Sequence, residues 1–310
     1  MRLIAAFLKL VRLPNLFFIA LTQVLFQLCI YQPLYGNNIP AGDSLRFFFL
    51  CLASILIAAA GYIINDYFDI NIDEVNKPYR MVVDKVIHRR WAIAWHFMLS
   101  TTGLFFTILA IPFLQKWYLV LANVFCIALL WFYSTNFKKN LIVGNVVISF
   151  LTAWTILIIF FSKVNLSDAI GAGTIDHHKF FRLAILYAGF AFIISLVREA
   201  IKDMEDMPGD EKYGCKTMPI VWGINATKVY VAVWLVVLIA ILIVIQVYML
   251  QFQWWLPVAY SLATIIFPLF VLLLRLKKSY STADYYKLSN IAKLVMLTGI
   301  VSMVFFYFYL

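Results

Sequence analysis

Asp66, Asp69 and Asp73 stand at i, i+3 and i+7, and Asn65 precedes the first of them. On a helix, at roughly 100° per residue, the three carboxylates fall within about 60° of one another. Three anions on one stripe repel, so something must offset that repulsion, and a divalent cation is the obvious candidate. Asp and Asn oxygens suit Mg²⁺, which prefers a few carboxylates plus substrate phosphates to an all-protein cage. The same spacing recurs at Asp203, Asp206 and Asp210. The two stretches are read as metal-binding clusters that face each other and hold a diphosphate between them. A pair of solvated helix-end caps is the simpler alternative, and the identical spacing weighs against it.

An oxyanion site also needs cations. Arg80 follows the first cluster, within Asn76-Lys77-Pro78-Tyr79-Arg80, and Arg198 and Lys202 precede the second. Lys138 follows Tyr133-Ser134 at the end of another apolar run. Carboxylates for Mg²⁺ beside Lys and Arg for phosphate oxygens make a diphosphate site. Glu199 lies one turn before Asp203, where it either orients a second substrate, acts as a base, or pairs with Arg198 or Lys202.

The elements that carry these residues are apolar. The runs 47–64 and 180–197 lead into the two clusters. The 310 residues are 64% apolar and 13% charged, against roughly 45–50% and 25% in soluble domains. With a mean hydropathy of +0.91, the chain is expected to be an all-α polytopic membrane bundle. Nine spans are predicted, at about 13–30, 45–64, 91–111, 117–133, 141–161, 180–197, 227–250, 254–274 and 288–309, each near the roughly 20 residues a bilayer needs. The run behind Arg2, Lys9 and Arg12 has no cleavage site and is expected to be retained. Pro208-Gly209 is expected to break the helix before Asp210. Cys29, Cys51, Cys126 and Cys215 show no paired spacing, so neither a disulfide framework nor a zinc site is suggested.

In a soluble chain the net charge of +10 would suggest nucleic acid. Here membrane lipid and the positive-inside rule explain it, and no nucleic-acid partner is expected. Nineteen Lys and Arg fall at the N-terminus and in the loops after spans two, four, six and eight. The alternate loops hold Lys116, Lys163 and Lys179. The N-terminus and both acidic clusters are therefore expected to be cytoplasmic and the C-terminus outside. One cluster follows span two and the other span six. That suggests one domain over 1–310, with pseudo-repeats of about 1–140 and 141–287, a ninth helix, and a central cavity.

A water-soluble nucleotide has no need of a cavity among nine apolar helices. An isoprenyl diphosphate does: its head meets the cations at the interface and its tail lies among the helices. Neutralising the leaving diphosphate lets the allylic C–O bond break and a lipophilic acceptor attack.

Asn65-Asp66-x-x-Asp69-x-x-x-Asp73 and Asp203-x-x-Asp206-x-Pro-Gly-Asp210 resemble the paired signatures of the UbiA superfamily of intramembrane prenyltransferases. Arg12-Leu13-Pro14-Asn15, Tyr133-Ser134 with Lys138, and Gly214-x-x-Thr217-Met218-Pro219 extend the likeness over essentially the whole chain. The resemblance implies Mg²⁺ dependence and prenyl transfer from a diphosphate. It implies that Asn65, Asp66, Asp69 and Asp73 form one metal cluster and Asp206 and Asp210, assisted by Asp203, the other. Asn15, Asn65, Arg80, Tyr133, Lys138, Arg198 and Lys202 would bind substrate. Arg198-Glu199-x-x-Lys202-Asp203 and Asn76-Lys77-Pro78 look most like the digeranylgeranylglyceryl phosphate synthase branch, which alkylates a glycerol-phosphate hydroxyl with a geranylgeranyl chain. The first loop departs from the common Arg-Pro continuation, running Arg80-Met81-Val82 instead. An aromatic acceptor stays open. So does a transporter with a cytoplasmic acidic gate, although these spans hold almost no mid-membrane charge. A phospholipid head-group transferase would need an Asp-Gly-x-x-Ala-Arg lead-in that is missing here.

Overall fold

The computed structural model describes residues 2–165 and 175–310. Among them, nine helices are long and apolar enough to cross a membrane. In order they are Leu13–Tyr35, Asp43–Phe68, Arg89–Ala110, Phe113–Thr135, Val143–Lys163, Asp176–Lys212, Ile224–Leu250, Trp255–Lys277 and Thr282–Tyr309, called spans one to nine below. Helices are the expected solution, because a bilayer offers backbone N–H and C=O groups no water to bond. The described residues form no strand beyond a single bridge, Val83 to Ile87, in the loop after the first cluster.

Successive spans are neighbours, span six also packs on span nine, and span nine returns to span one, so the bundle closes on itself. The interior falls into three apolar clusters. One joins spans six to nine around Ile194, Leu235, Leu269 and Val295. A second fills the half remote from the carboxylates, around Phe26, Ile156, Phe160 and Phe180. A third packs the Arg2–Leu10 helix and the Val82–Ile87 loop against spans one, two and three.

Two prolines explain the π-turns of spans one and eight. A proline has no N–H and its ring crowds the carbonyl four residues back. Spans one and eight answer by widening into π-turns, Gln27–Tyr31 and Leu262–Ile266, just ahead of Pro33 and Pro268. Span six behaves differently. Its helix runs unbroken from Ile175 to Lys212 with Pro208 inside it, contrary to the break expected at Pro208-Gly209. The Asn76 side chain lies where the proline disturbs the ladder: its Nδ2 donates to the Asp206 carbonyl at 2.8 Å, and the Gly209 N–H donates to its Oδ1 at 2.8 Å. The break instead falls in the first cluster. Span two ends at Phe68, Asp69 takes φ −90°, ψ 0°, and a short helix Ile70–Asn76 resumes.

The ends remote from the carboxylates are tied by buried polar groups. Lys116 Nζ donates to the carbonyls of Phe161, Ser162 and Val164, satisfying the last turn of span five. Lys163 pairs with Asp43 at 2.6 Å, and Gln27 Nε2 donates to the same carboxylate at 2.8 Å. All four cysteines are free and buried, as small hydrophobes are.

Candidate active site

The carboxylate clusters lie at the ends of spans two and six, and the loop after span two joins them. Lys77 Nζ donates to both carboxylate oxygens of Asp206, at 2.5 and 2.8 Å, and lies 3.5 Å from Glu205. The neighbouring Asn76 amide seats on span six about one turn further on, at Gly209. A Cβ on Gly209 would stand 2.5 to 2.7 Å from the Asn76 amide atoms, closer than real Cβ contacts come. Glycine there allows this close approach, since any Cβ would displace the Asn76 amide, and no special φ is involved.

Each cluster carries its own cations. Arg12 adopts φ 53°, a left-handed conformation disfavoured for a side-chain-bearing residue. That turn points it back at span two, where Nη2 meets Asp66 Oδ1 at 2.7 Å. Lys138 bonds Asp69 Oδ1, and Asn65 Nδ2 donates to Asp69 Oδ2 at 2.7 Å. Asn145 Nδ2 donates to Asp203 Oδ2 at 2.8 Å. Arg198 Nη1 and Lys202 Nζ both reach Glu199, at 2.7 and 3.3 Å, so the salt-bridge reading of Glu199 is the one observed. Tyr133 is part-buried and lies within electrostatic reach of Glu199, Asp69 and Asp203. Asn15 shares a hydrogen bond with Tyr62, whose ring the Arg12 guanidinium overlies at 5.2 Å.

Electrostatics outside the spans follow from this crowding. Burial, then the charges of Asp69 and Asp66, push the Asp73 carboxyl up to about 6. Burial alone would lower the Lys77 ammonium, but Asp206, Glu205 and Asp73 together raise it above its ordinary value. Among the described residues no three carboxylates converge on one point, because Arg12, Lys138 and Lys77 each hold one of them. One acceptor is left over: Asn65 Oδ1 is buried and has no hydrogen-bond partner. A buried oxygen with no donor, beside Asp66, Asp69 and Asp73, fits an oxygen-seeking cation such as Mg²⁺.

Most of the residues predicted from the sequence thus meet at one end of the bundle. The Arg80 side chain lies outside the described residues. Lys202 bonds Glu199 rather than standing free for an anion. Sequence reasoning left Asn76, Lys77, Arg12 and Asn145 out of the site. Asn76 and Lys77 had a signal, sitting three and four residues past Asp73; Asn145 had none.

Among the described residues, then, a membrane-length helical bundle carries two carboxylate clusters and their cations at one mouth. A sequence profile of the UbiA prenyltransferase family matches residues 6–308, and the chain belongs to that family. The digeranylgeranylglyceryl phosphate synthase of Methanospirillum hungatei is 31% identical over 228 residues, covering 74% of this chain and 72% of that one. Other relatives of the same name align over 56% to 70% of their own length. A solved structure concerned with digeranylgeranylglyceryl phosphate synthase in membranes superposes with TM-score 0.60 at 23% identity, covering 98% of this chain and 99% of that one. A UbiA homologue from Archaeoglobus fulgidus bound to DMAPP and Mg²⁺ gives TM-score 0.59 at 17% identity, over 96% and 98% of the two chains. At these identities the solved structures establish the fold.

Proposed function

We propose that this chain transfers a geranylgeranyl group from its diphosphate to the hydroxyl of geranylgeranylglyceryl phosphate, releasing diphosphate, with Mg²⁺ held by the two carboxylate clusters. The observation that carries the reading is the joining of those clusters through Asn76 and Lys77, with Lys138 and Arg12 beside them. The relatives' name supports the acceptor, and DMAPP with Mg²⁺ on the Archaeoglobus homologue supports the donor class and the ion.

In this reading Asn65, Asp66, Asp69 and Asp73 hold metal on one side, and Asp206 and Asp210, with Asp203, hold it on the other. The bound Mg²⁺ supplies positive charge for the departing diphosphate. Lys138, Lys77 and Arg12 already lie within one bond of the carboxylates, so they can shift from carboxylate to phosphate oxygens as the anion enters. The bond from C1 to the diphosphate oxygen breaks with its electrons on oxygen. The acceptor hydroxyl oxygen then bonds C1, and its proton leaves with the diphosphate. Glu199 has both oxygens engaged by Arg198 and Lys202, so its part is to hold those cations beside the acceptor.

The chain acts as one domain, its two clusters belonging to corresponding positions of the pseudo-repeats. The acidic mouth faces the cytoplasm. Nineteen cations on that side support this, even when Arg46 and Arg182, which lie in the first two turns of spans two and six at the opposite end, are added to Lys116, Lys163 and Lys179.

The test is transfer from labelled geranylgeranyl diphosphate by the purified protein, with geranylgeranylglyceryl phosphate or dihydroxynaphthoate as acceptor. Product from the glycerol phosphate is expected. Product from the aromatic compound alone would keep the chemistry and reject the acceptor.

Lys138 gives a second expectation. Gly144 lies against its turn: a Cβ there would stand 2.9 Å from both Lys138 Cα and the Phe137 carbonyl oxygen. These are backbone atoms and cannot swing aside, so Gly144→Ala must displace the Phe137–Lys139 turn. Overpacking of this kind costs about 1–3 kcal/mol. The KM for prenyl diphosphate should rise about tenfold, in line with about 1.4 kcal/mol of lost binding. An unchanged KM in the folded variant would show that Lys138 does not touch the diphosphate.

A further inference from the structure

The end of the bundle opposite the carboxylates poses their problem with the signs reversed. Lys and Arg are sparse there, as the positive-inside rule leads one to expect. Five are present: Arg46, Lys116, Lys163, Lys179 and Arg182. They are not spread out. Arg46, Lys116 and Lys163 line one cavity, of about 610 Å³ counting its open mouth, between the ends of spans two to five. Among the described residues lining it, Asp43 is the one carboxylate.

That carboxylate is already engaged. It pairs with Lys163 at 2.6 Å and accepts from Gln27 at 2.8 Å, and the Lys163 and Asp43 side chains are only 6% and 8% exposed. The rings of Tyr31 and Phe47 lie 4.8 and 5.7 Å from the Lys163 ammonium. Lys116 donates to three carbonyls, which carry no net charge. Arg46 stands one turn after Asp43 on the same helix face. Its side chain has no hydrogen bond or ion pair to another described residue, and it lies close enough to Lys163 to repel it. Three cations thus meet one carboxylate, and a cleft of one sign concentrates the opposite ion.

The position of the cavity says which anion. Arg46 lies in the first turn of span two, Lys116 in the first turn of span four, and Lys163 ends span five. Span ends lie at the level of the lipid headgroups. Phe47, Leu50 and Ala110 carry the wall on toward the apolar interior. The planar guanidinium of Arg46 matches two oxygens of a phosphate, and the Gln115 amide on the same wall offers a further N–H. Twenty residues of span two, roughly 30 Å, separate Arg46 from Asp66, so this is not the diphosphate site.

We propose that this cavity binds the phosphate of an anionic membrane lipid, with Arg46 as the residue that grips it. The site is independent of the prenyl-transfer reading.

The test titrates the detergent-purified full chain with phosphatidylglycerol and reads the Kd of each bound lipid by native mass spectrometry. One lipid is expected to bind well ahead of the rest. Arg46→Gln should weaken it at least tenfold and Arg46→Glu further. Arg46 is exposed and bonded to no other side chain, so both variants should fold. Arg90→Gln, which removes a charge from the opposite end, should leave the Kd within twofold. Diacylglycerol, with the chains and no phosphate, should bind at least tenfold more weakly. Inorganic phosphate that displaces the lipid from wild type would support recognition of the phosphate group alone; phosphate that does not would support recognition of the intact lipid head. An unchanged Kd in both Arg46 variants overturns the proposal. So does an Arg90→Gln that weakens binding as much as Arg46→Gln, since diffuse surface charge would then be the cause. Prenyl transfer in lipid-free detergent should be equal in wild type and Arg46→Gln, so failure of that reaction and failure of this site are separate results.

Discussion

Asp69→Ala is expected to lower prenyl transfer at least about a thousandfold, roughly 4 kcal/mol of transition-state stabilisation. Asp69 is where three features meet. It takes the non-helical conformation that interrupts the first cluster, it accepts from Asn65, and it pairs with Lys138. Alanine removes a carboxylate proposed to hold the cation and leaves the mostly buried Lys138 ammonium, 10% exposed, without its partner. Losing one partner of such a pair is more damaging than never having had it. Charge at the departing diphosphate is the term this site is built to stabilise, and comparable electrostatic contributions elsewhere are worth 10²–10³ per group before a metal is involved. Asp69→Asn should be almost as inactive, because the amide keeps the shape and loses the charge. Single-turnover diphosphate release, with thermal unfolding as a check on folding, measures both. Activity within tenfold of wild type in a folded Asp69→Ala would remove Asp69 from the reaction.

Gly209→Ala should be the most damaging change outside the carboxylates, lowering kcat by about a hundredfold, or roughly 2.7 kcal/mol. The added methyl occupies the position of the Asn76 amide. Asn76 can swing aside, but only by giving up its bonds to the Asp206 carbonyl and the Gly209 N–H. Each such loss costs about 1–3 kcal/mol when the groups stay buried. With Asn76 displaced, Lys77 loses its line to Asp206, and the two clusters are no longer held at a fixed separation. A misplacement of about 1 Å can cost about a hundredfold in rate. Asn76→Ala on the Gly209→Ala background should then add little further loss, because both changes remove the same joint. Two fully additive losses in that double variant would show that Gly209 acts through something else.

The contrast between those residues says what a sequence can carry. The carboxylates were legible because three acids at helical spacing repel and need a reason. Their recurrence after spans two and six was legible because apolar runs of bilayer length announce themselves. Span six was harder. Its helix continues through Pro208 because Asn76, 132 positions earlier, takes up the bonding there, and no local rule contains that partner. The first cluster was misread in the opposite sense, since nothing local marks Asp69 as the point where span two stops. Gly144 and Gly209 look like ordinary helix-weakening glycines until the neighbours are in place; each makes room for a contact from another segment.

The most direct measurement is binding of geranylgeranyl diphosphate to the purified protein across a Mg²⁺ titration, in wild type, Asp69→Ala and Asp206→Ala. Saturable binding that requires Mg²⁺, and is weakened at least tenfold by either substitution alone, is the predicted result, because in the proposed reading each cluster supplies ligands the other cannot replace. Binding that survives chelation of Mg²⁺, or that either variant retains at wild-type affinity, would contradict a diphosphate held between two carboxylate clusters.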